Sequence, residues 1–134
     1  MENTKSTVSD QELKRVIADF LDQGHVDNII AMFRREPSYY TWTGDLLQDD
    51  RFSVRLGLSV LFEELVKLQP EKTVLAIPSL VQVLENPEPL LRGEAVSLLG
   101  MIGTKEAIAH IRLLETDKNP QVREMVTIIL EEHA

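Results

Sequence analysis

The sequence contains no cysteine. That excludes disulfides, thiolate metal sites and cysteine nucleophiles, and it fits a reducing compartment. Histidine is scarce, with only His25, His110 and His133. These lie far apart and form no H-x-x-x-H or H-E-x-x-H spacing, so they read as solvated or partly packed side chains rather than metal ligands. Basic residues number 14 against 22 acidic ones, giving a formal net charge of -8 and a pI of about 4.8. Such a surface repels phosphate backbones and anionic lipid headgroups, so neither nucleic acid nor a membrane is an expected partner. No apolar run approaches the roughly 20 residues that span a bilayer, and the first residues lack the apolar core of a signal peptide. A cytoplasmic protein is expected. Strand-like alternation is missing as well, so the chain is predicted to be all-α.

Catalytic signatures are also missing. There is no G-x-S-x-G and no G-x-G-x-x-G after a strand. The carboxylate pairs Asp49-Asp50, Glu63-Glu64 and Glu131-Glu132 are sequence neighbours, which on a helix point about 100° apart and do not share a proton. Gly100 and Gly103 read as close helix approach and a helix stop. No catalytic residue, metal or cofactor is predicted, and the chain is read as a non-enzyme.

What is present is helical periodicity, broken by turn residues. Residues 1–8 are polar and predicted to be disordered. Ser9 and Glu12 have capping-box spacing and open a helix with Leu13, Val16, Ile17, Phe20 and Leu21 on one face. Gly24 ends it, and Asp27 is the expected cap of a second helix. A short helix is predicted over 39–47. A long one follows with Val54, Leu58, Leu61, Phe62 and Leu65 inward, and then one through Ala76, Leu80, Val83 and Leu84. Three further helices carry Leu91, Ala95, Leu98, Leu99 and Ile102; Ala107, Ile108, Ile111 and Leu114; and Val122, Val126, Ile129 and Leu130.

Aligned on itself, the chain shows a repeat. Arg55, Arg92 and Arg123 fall in one column, each preceded by an apolar residue, Val54, Leu91 or Val122. Six residues before each arginine stands Asp49, Asn86 or Asp117. The preceding helices align too, Ala76 over Ala107 and Leu80 over Ile111. A unit of this kind cannot bury its apolar face alone, so stacked antiparallel helix pairs are predicted. The recurring Asp or Asn is expected to cap the following helix. The arginine is expected to reach a carboxylate or carbonyl of its own turn or the next.

The segment 86–103 and the turn at 117–123 resemble HEAT repeats, most closely the short bacterial HEAT-like class also found in phycobilisome lyases. The resemblance covers residues 46–134. It implies a right-handed α-solenoid of antiparallel helix pairs, used as a scaffold that binds another protein without catalysis. By this reading 9–134 is one repeat domain, with 9–48 an N-terminal helical cap or degenerate repeat and 49–134 clear repeats. The pattern departs at Glu63 and Glu131, which stand where Gly100 stands. Alternatives are a lyase-like or other small-ligand-binding protein of this class, and a solenoid that self-assembles through its ends. A monomer or weak homo-oligomer is expected.

Two candidate partner-binding surfaces emerge. Tyr39, Tyr40 and Trp42 gather the chain's only Tyr and Trp residues, and such aromatics are enriched in interface hot spots. Equally, they can pack against the first helix. The second surface is the strip Lys105, Ala109, Arg112 and Leu113, opposite the inward Ala107, Ile111 and Leu114. The resemblance places it on the concave side, as a mildly apolar strip with a basic edge on an acidic protein. The final helix turns Arg123, Glu124, Thr127, Glu131 and Glu132 outward, a polar end cap.

Overall fold

The computed structural model describes residues 8–134, among which there is no strand. The expected disordered segment lies outside the described residues, apart from Val8. Helix α1 (Asp10–Asp22) opens on the capping box: Ser9 Oγ accepts from Glu12 N at 3.1 Å, and Glu12 Oε1 accepts from Ser9 N at 3.3 Å. Helix α2 (Val26–Arg35) has His25 at its N-cap with no side-chain bond, not Asp27. Asp27 lies inside the first turn, where its charge faces the positive end of the helix dipole.

The helix predicted over 39–47 is replaced by a 3₁₀ segment, Pro37–Trp42, running into a five-residue α3 (Thr43–Leu47). Thr41 and Thr43 donate their hydroxyls back to the carbonyls of Ser38 and Tyr40, at 2.7 Å each, which tightens the turn. After α4 (Phe52–Leu68) the helix expected through Leu80 and Val83 forms with Pro78 in its first turn, and a broken stretch leads into it. The stretch runs from α5 (Pro70–Thr73) through a 3₁₀ turn (Val74–Ala76) to α6 (Ile77–Val83). Pro78 lacks an N–H, and its ring would strike the carbonyl four residues back, so one continuous α-helix cannot run through it. Then come α7 (Pro89–Ile102), α8 (Lys105–Arg112) and α9 (Pro120–Glu132). Gly103 ends α7 in the left-handed region, and Thr104 caps α8 by accepting from Ala107 N at 3.1 Å.

Three hairpins, α3–α4, α6–α7 and α8–α9, stack as an all-α solenoid, while α1 and α2 lie against the far side of α4. One continuous core runs through the stack, from Ile17 and Phe33 through Leu58, Phe62 and Leu80 to Leu99, Ile111 and Val126. The expected arginine column is realised with the same geometry each time. Nη1 of Arg55, Arg92 and Arg123 donates to the carbonyl six residues earlier, that of Asp49, Asn86 and Asp117, at 2.9, 3.0 and 2.6 Å. The expected capping by Asp49, Asn86 and Asp117 is not what forms. Their side chains accept instead from the backbone N–H two residues on, that of Arg51, Glu88 and Asn119, at 2.9 Å each. These are Asx turns that shape the loop before the helix begins. Only at the last turn does a side chain cap the helix, where Asn119 accepts from Gln121 N and Val122 N.

Arg92 also reaches forward. Its Nε and Nη2 donate to Asp117 Oδ1 and Oδ2, both at 2.9 Å, so one side chain clamps its own turn and the next. This bidentate pair holds the Asp117 carboxyl below the usual carboxylate range; Arg51 does the same for Asp49.

Two stability experiments follow from this packing. A Cβ at Gly44 would lie 2.4 Å from Ser79 O, whereas one at Gly93 meets nothing within 4 Å. In urea titration, Gly44→Ala is expected to lose about 2 kcal/mol and Gly93→Ala to gain about 0.5–1 kcal/mol. Arg92→Met strands a nearly buried carboxylate and should cost about 3 kcal/mol, whereas the exposed Arg123→Met should cost under about 1 kcal/mol. Because the Asp117 pKa is depressed on folding, its stabilisation is complete above its unfolded value of about 3.9. It is lost as pH falls through the folded value. Thermal melts across pH 2–7 should therefore show an acid limb that Asp117→Asn flattens; an unchanged limb would remove this pair from the account.

Candidate functional site

The aromatic corner divides into buried and exposed parts. Tyr40 is wholly buried, its ring edge-to-face with Phe33 at 5.0 Å and with Phe62 at 6.2 Å. Its hydroxyl donates to Gln69 Oε1 at 2.8 Å. Burial, with the Glu71 carboxylate, pushes the phenol up to about 12, so it is a neutral donor in the core. Tyr40 is therefore a structural anchor and cannot contact a partner. Tyr39 and Trp42 are half-buried and lie against each other, with ring centroids 4.9 Å apart. Lys14 Nζ sits 5.5 Å from the Trp42 ring and 2.6 Å from Asp45 Oδ2. The Lys14 ammonium, paired with Asp45 of α3, thus lies over the Trp42 ring.

The strip on α8 is exposed, and the structure brings three of its four residues together. Lys105, Ala109 and Arg112 line a shallow cleft of about 360 Å³ with Ile108, Gly103 and His133. One ring nitrogen of His133 lies 2.9 Å from the Gly100 carbonyl oxygen. Leu113 stands apart from this cleft as the C-cap of α8. α8 packs against α7 and α9 and turns this strip away from them; α4, α7 and α9 form one layer of the stack, the inner layer, and α3, α6 and α8 the other, the outer layer.

A third surface, not among the two candidates above, lies on the inner layer. Phe52, Leu56 and Val60 form a ridge along α4, with relative exposures of 64%, 51% and 40%. The signal is in the sequence: these residues recur at i, i+4 and i+8. They are obscured because Val54, Leu58, Leu61, Phe62 and Leu65 already satisfy the helical period on the opposite side. A helix apolar on both faces belongs in a fully buried setting, yet one face of α4 is open to solvent.

Beside this ridge, α7 presents small residues. Gly93 and Ser97 stand at the positions that Leu56 and Val60 occupy in the aligned repeat. Between α7 and α9 runs an apolar cleft of about 200 Å³, lined by Pro89, Leu90, Gly93, Val122 and Met125 among others. Between α4 and α7, Arg55, Ser59, Glu94 and Ser97 line a narrower crevice. Glu94 borders both, so ridge, crevice and cleft adjoin across α7. Arg55 Nε approaches Glu94 Oε1 to 2.8 Å, close enough for ion pairing but out of line for a hydrogen bond. Burial lifts the Glu94 carboxyl above its usual range, against the opposing pull of Arg55. The Arg55 guanidinium also lies 5.9 Å from the Phe52 ring centroid, tying the ridge to this pair.

Among the described residues no group of three or more His, Cys, Asp or Glu side chains is placed to hold a metal ion, and no helix is long and apolar enough to cross a membrane. No curated protein matches the chain. A family model described as HEAT repeats matches residues 60–132, more than half of its length. The match names a repeat and no activity. It runs from the middle of α4 to the end of α9, across the turns that Arg92 and Arg123 anchor, and the chain belongs to the HEAT-repeat family.

Proposed function

We propose that this chain is a non-catalytic protein-binding module that recruits another protein to the inner face of its helical stack. The observation that carries this is the ridge of Phe52, Leu56 and Val60, left open to solvent on a helix whose other side is core. A contiguous exposed apolar stripe is costly to leave hydrated, and on a folded domain it marks an interaction surface. HEAT repeats commonly serve as protein-interaction scaffolds, which fits a stack whose repeated arginine geometry shapes turns and packing rather than gathering converging polar groups. The outer strip at Lys105, Ala109 and Arg112 is the second surface a partner can use, and the basic character of its cleft suits an acidic segment.

Affinity capture from native-source lysate, read by mass spectrometry, tests this. The full chain would be compared with a Leu56→Gln, Val60→Gln variant and a Lys105→Glu, Arg112→Glu variant. The expected outcome is one protein enriched with wild type, retained by the outer-strip variant and lost with the inner-face variant. Loss with the outer-strip variant alone would move the binding face to α8. No specific protein in any arm would defeat the binding-module reading.

A further inference from the structure

The charge around the inner face restricts what can sit there. Exposed carboxylates flank it on both sides, Glu63 and Glu64 at the end of α4, and Glu124, Glu131 and Glu132 on α9. The cations on these helices are largely engaged. Arg55 faces Glu94, Arg92 is bound to Asp117, and Arg123 is drawn onto the carbonyls of Asp117 and Lys118. Arg51 is held by Asp19 and Asp49. Lys67 lies 3.8 Å from Glu64. The basic side chains Lys105 and Arg112 are on α8, in the outer layer. Lys118, in the turn before α9, and Arg123 are the exposed cations at this edge, outnumbered by the five carboxylates, so the inner face is an apolar trough with predominantly acidic edges, on a chain of net charge -8.

Its shape is equally selective. The ridge places one apolar side chain per helical turn along about 12 Å of α4. Across α7 the surface drops to Gly93 and Ser97, then rises again at Ile128 of α9, which is exposed. A trough of this length and relief suits a helix laid into it with apolar side chains at i, i+3, i+4 and i+7. We infer that the trough docks an amphipathic helix of a partner protein, one whose flanks are rich in Lys and Arg. This rests on the binding-module reading above and adds the partner's chemistry to it. A second copy of the chain is the poorer occupant, because pairing this face with itself would bring the same acidic edges together.

The test uses a fluorescein-labelled leucine–lysine amphipathic helix of about four turns as probe, with the full chain titrated by fluorescence anisotropy. A leucine–glutamate helix of the same pattern and a scrambled leucine–lysine sequence run beside it. Saturable binding of the leucine–lysine helix is expected, weakening as salt rises. It should fall about tenfold or more in Leu56→Gln, Val60→Gln and, independently, in Leu90→Gln on α7. Leu113→Gln on the outer layer should bind like wild type. Circular dichroism melts establish that each variant is folded, and Leu90→Gln keeps the test decisive if the double variant is not. Equal binding of the leucine–glutamate or scrambled peptide overturns the inference, as does binding indifferent to both inner-face variants. So does a concentration-dependent dimer in sedimentation velocity that Leu56→Gln, Val60→Gln dissociates, since the occupant would then be a second copy. If the peptide fails while lysate capture still yields a specific partner, the binding-module reading stands and only the assigned partner chemistry falls.

Discussion

At each of three turns, an arginine reaches back to a carbonyl six residues earlier, and the stack depends on that reach. A guanidinium suits the task because it presents several donors in a rigid plane and stays charged. One edge satisfies carbonyls in a turn where regular helix bonding has stopped. At Arg92 the other edge grips both oxygens of Asp117 in the following turn. The same side chain thus shapes one loop and sets the offset of the next hairpin. Arg55 repeats the logic with Glu94, on the neighbouring helix rather than in the neighbouring turn.

That offset brings α4, α7 and α9 into one layer. α7 and α9 come close enough that a Cβ at Gly100 would lie 2.8 Å from the Ile129 side chain. The relief of the inner face then follows from side-chain size alone. α4 contributes Phe52, Leu56 and Val60, and α7 contributes Gly93 and Ser97 at equivalent positions, so a repeat regular in its backbone carries an irregular surface.

The aromatic cluster shows how far residue type can be trusted as a guide to role. Tyr39, Tyr40 and Trp42 are near neighbours in sequence, of a composition common in interfaces. In a 3₁₀ segment successive side chains point in widely different directions, and so Tyr40 enters the core while Tyr39 and Trp42 lie toward the surface. The buried Tyr40 hydroxyl needs a partner, which Gln69 supplies from 29 residues away. No local pattern announces that pairing. The α8 strip tells a similar story. Its exposure was legible from the helical period, but the cleft it shares with His133, from the end of α9, was not.

Helical class, the repeat, its arginine column and the capping of α1 were all determined by the sequence itself, because each rests on spacings within one or two turns of chain. The all-α class and a stack of helix pairs follow from periodicity and from Asp49, Arg55, Asn86, Arg92, Asp117 and Arg123. Tertiary structure alone decided which apolar residues would be left without cover. Phe52 and Leu56 are as apolar as Leu58 and Leu61, and helical periodicity distinguishes two faces of α4 without saying which one a neighbour will occupy. That choice was made by α1, α2 and α3 packing against one side and by the angle at which the arginine-clamped turns set α7, leaving the other side open to water.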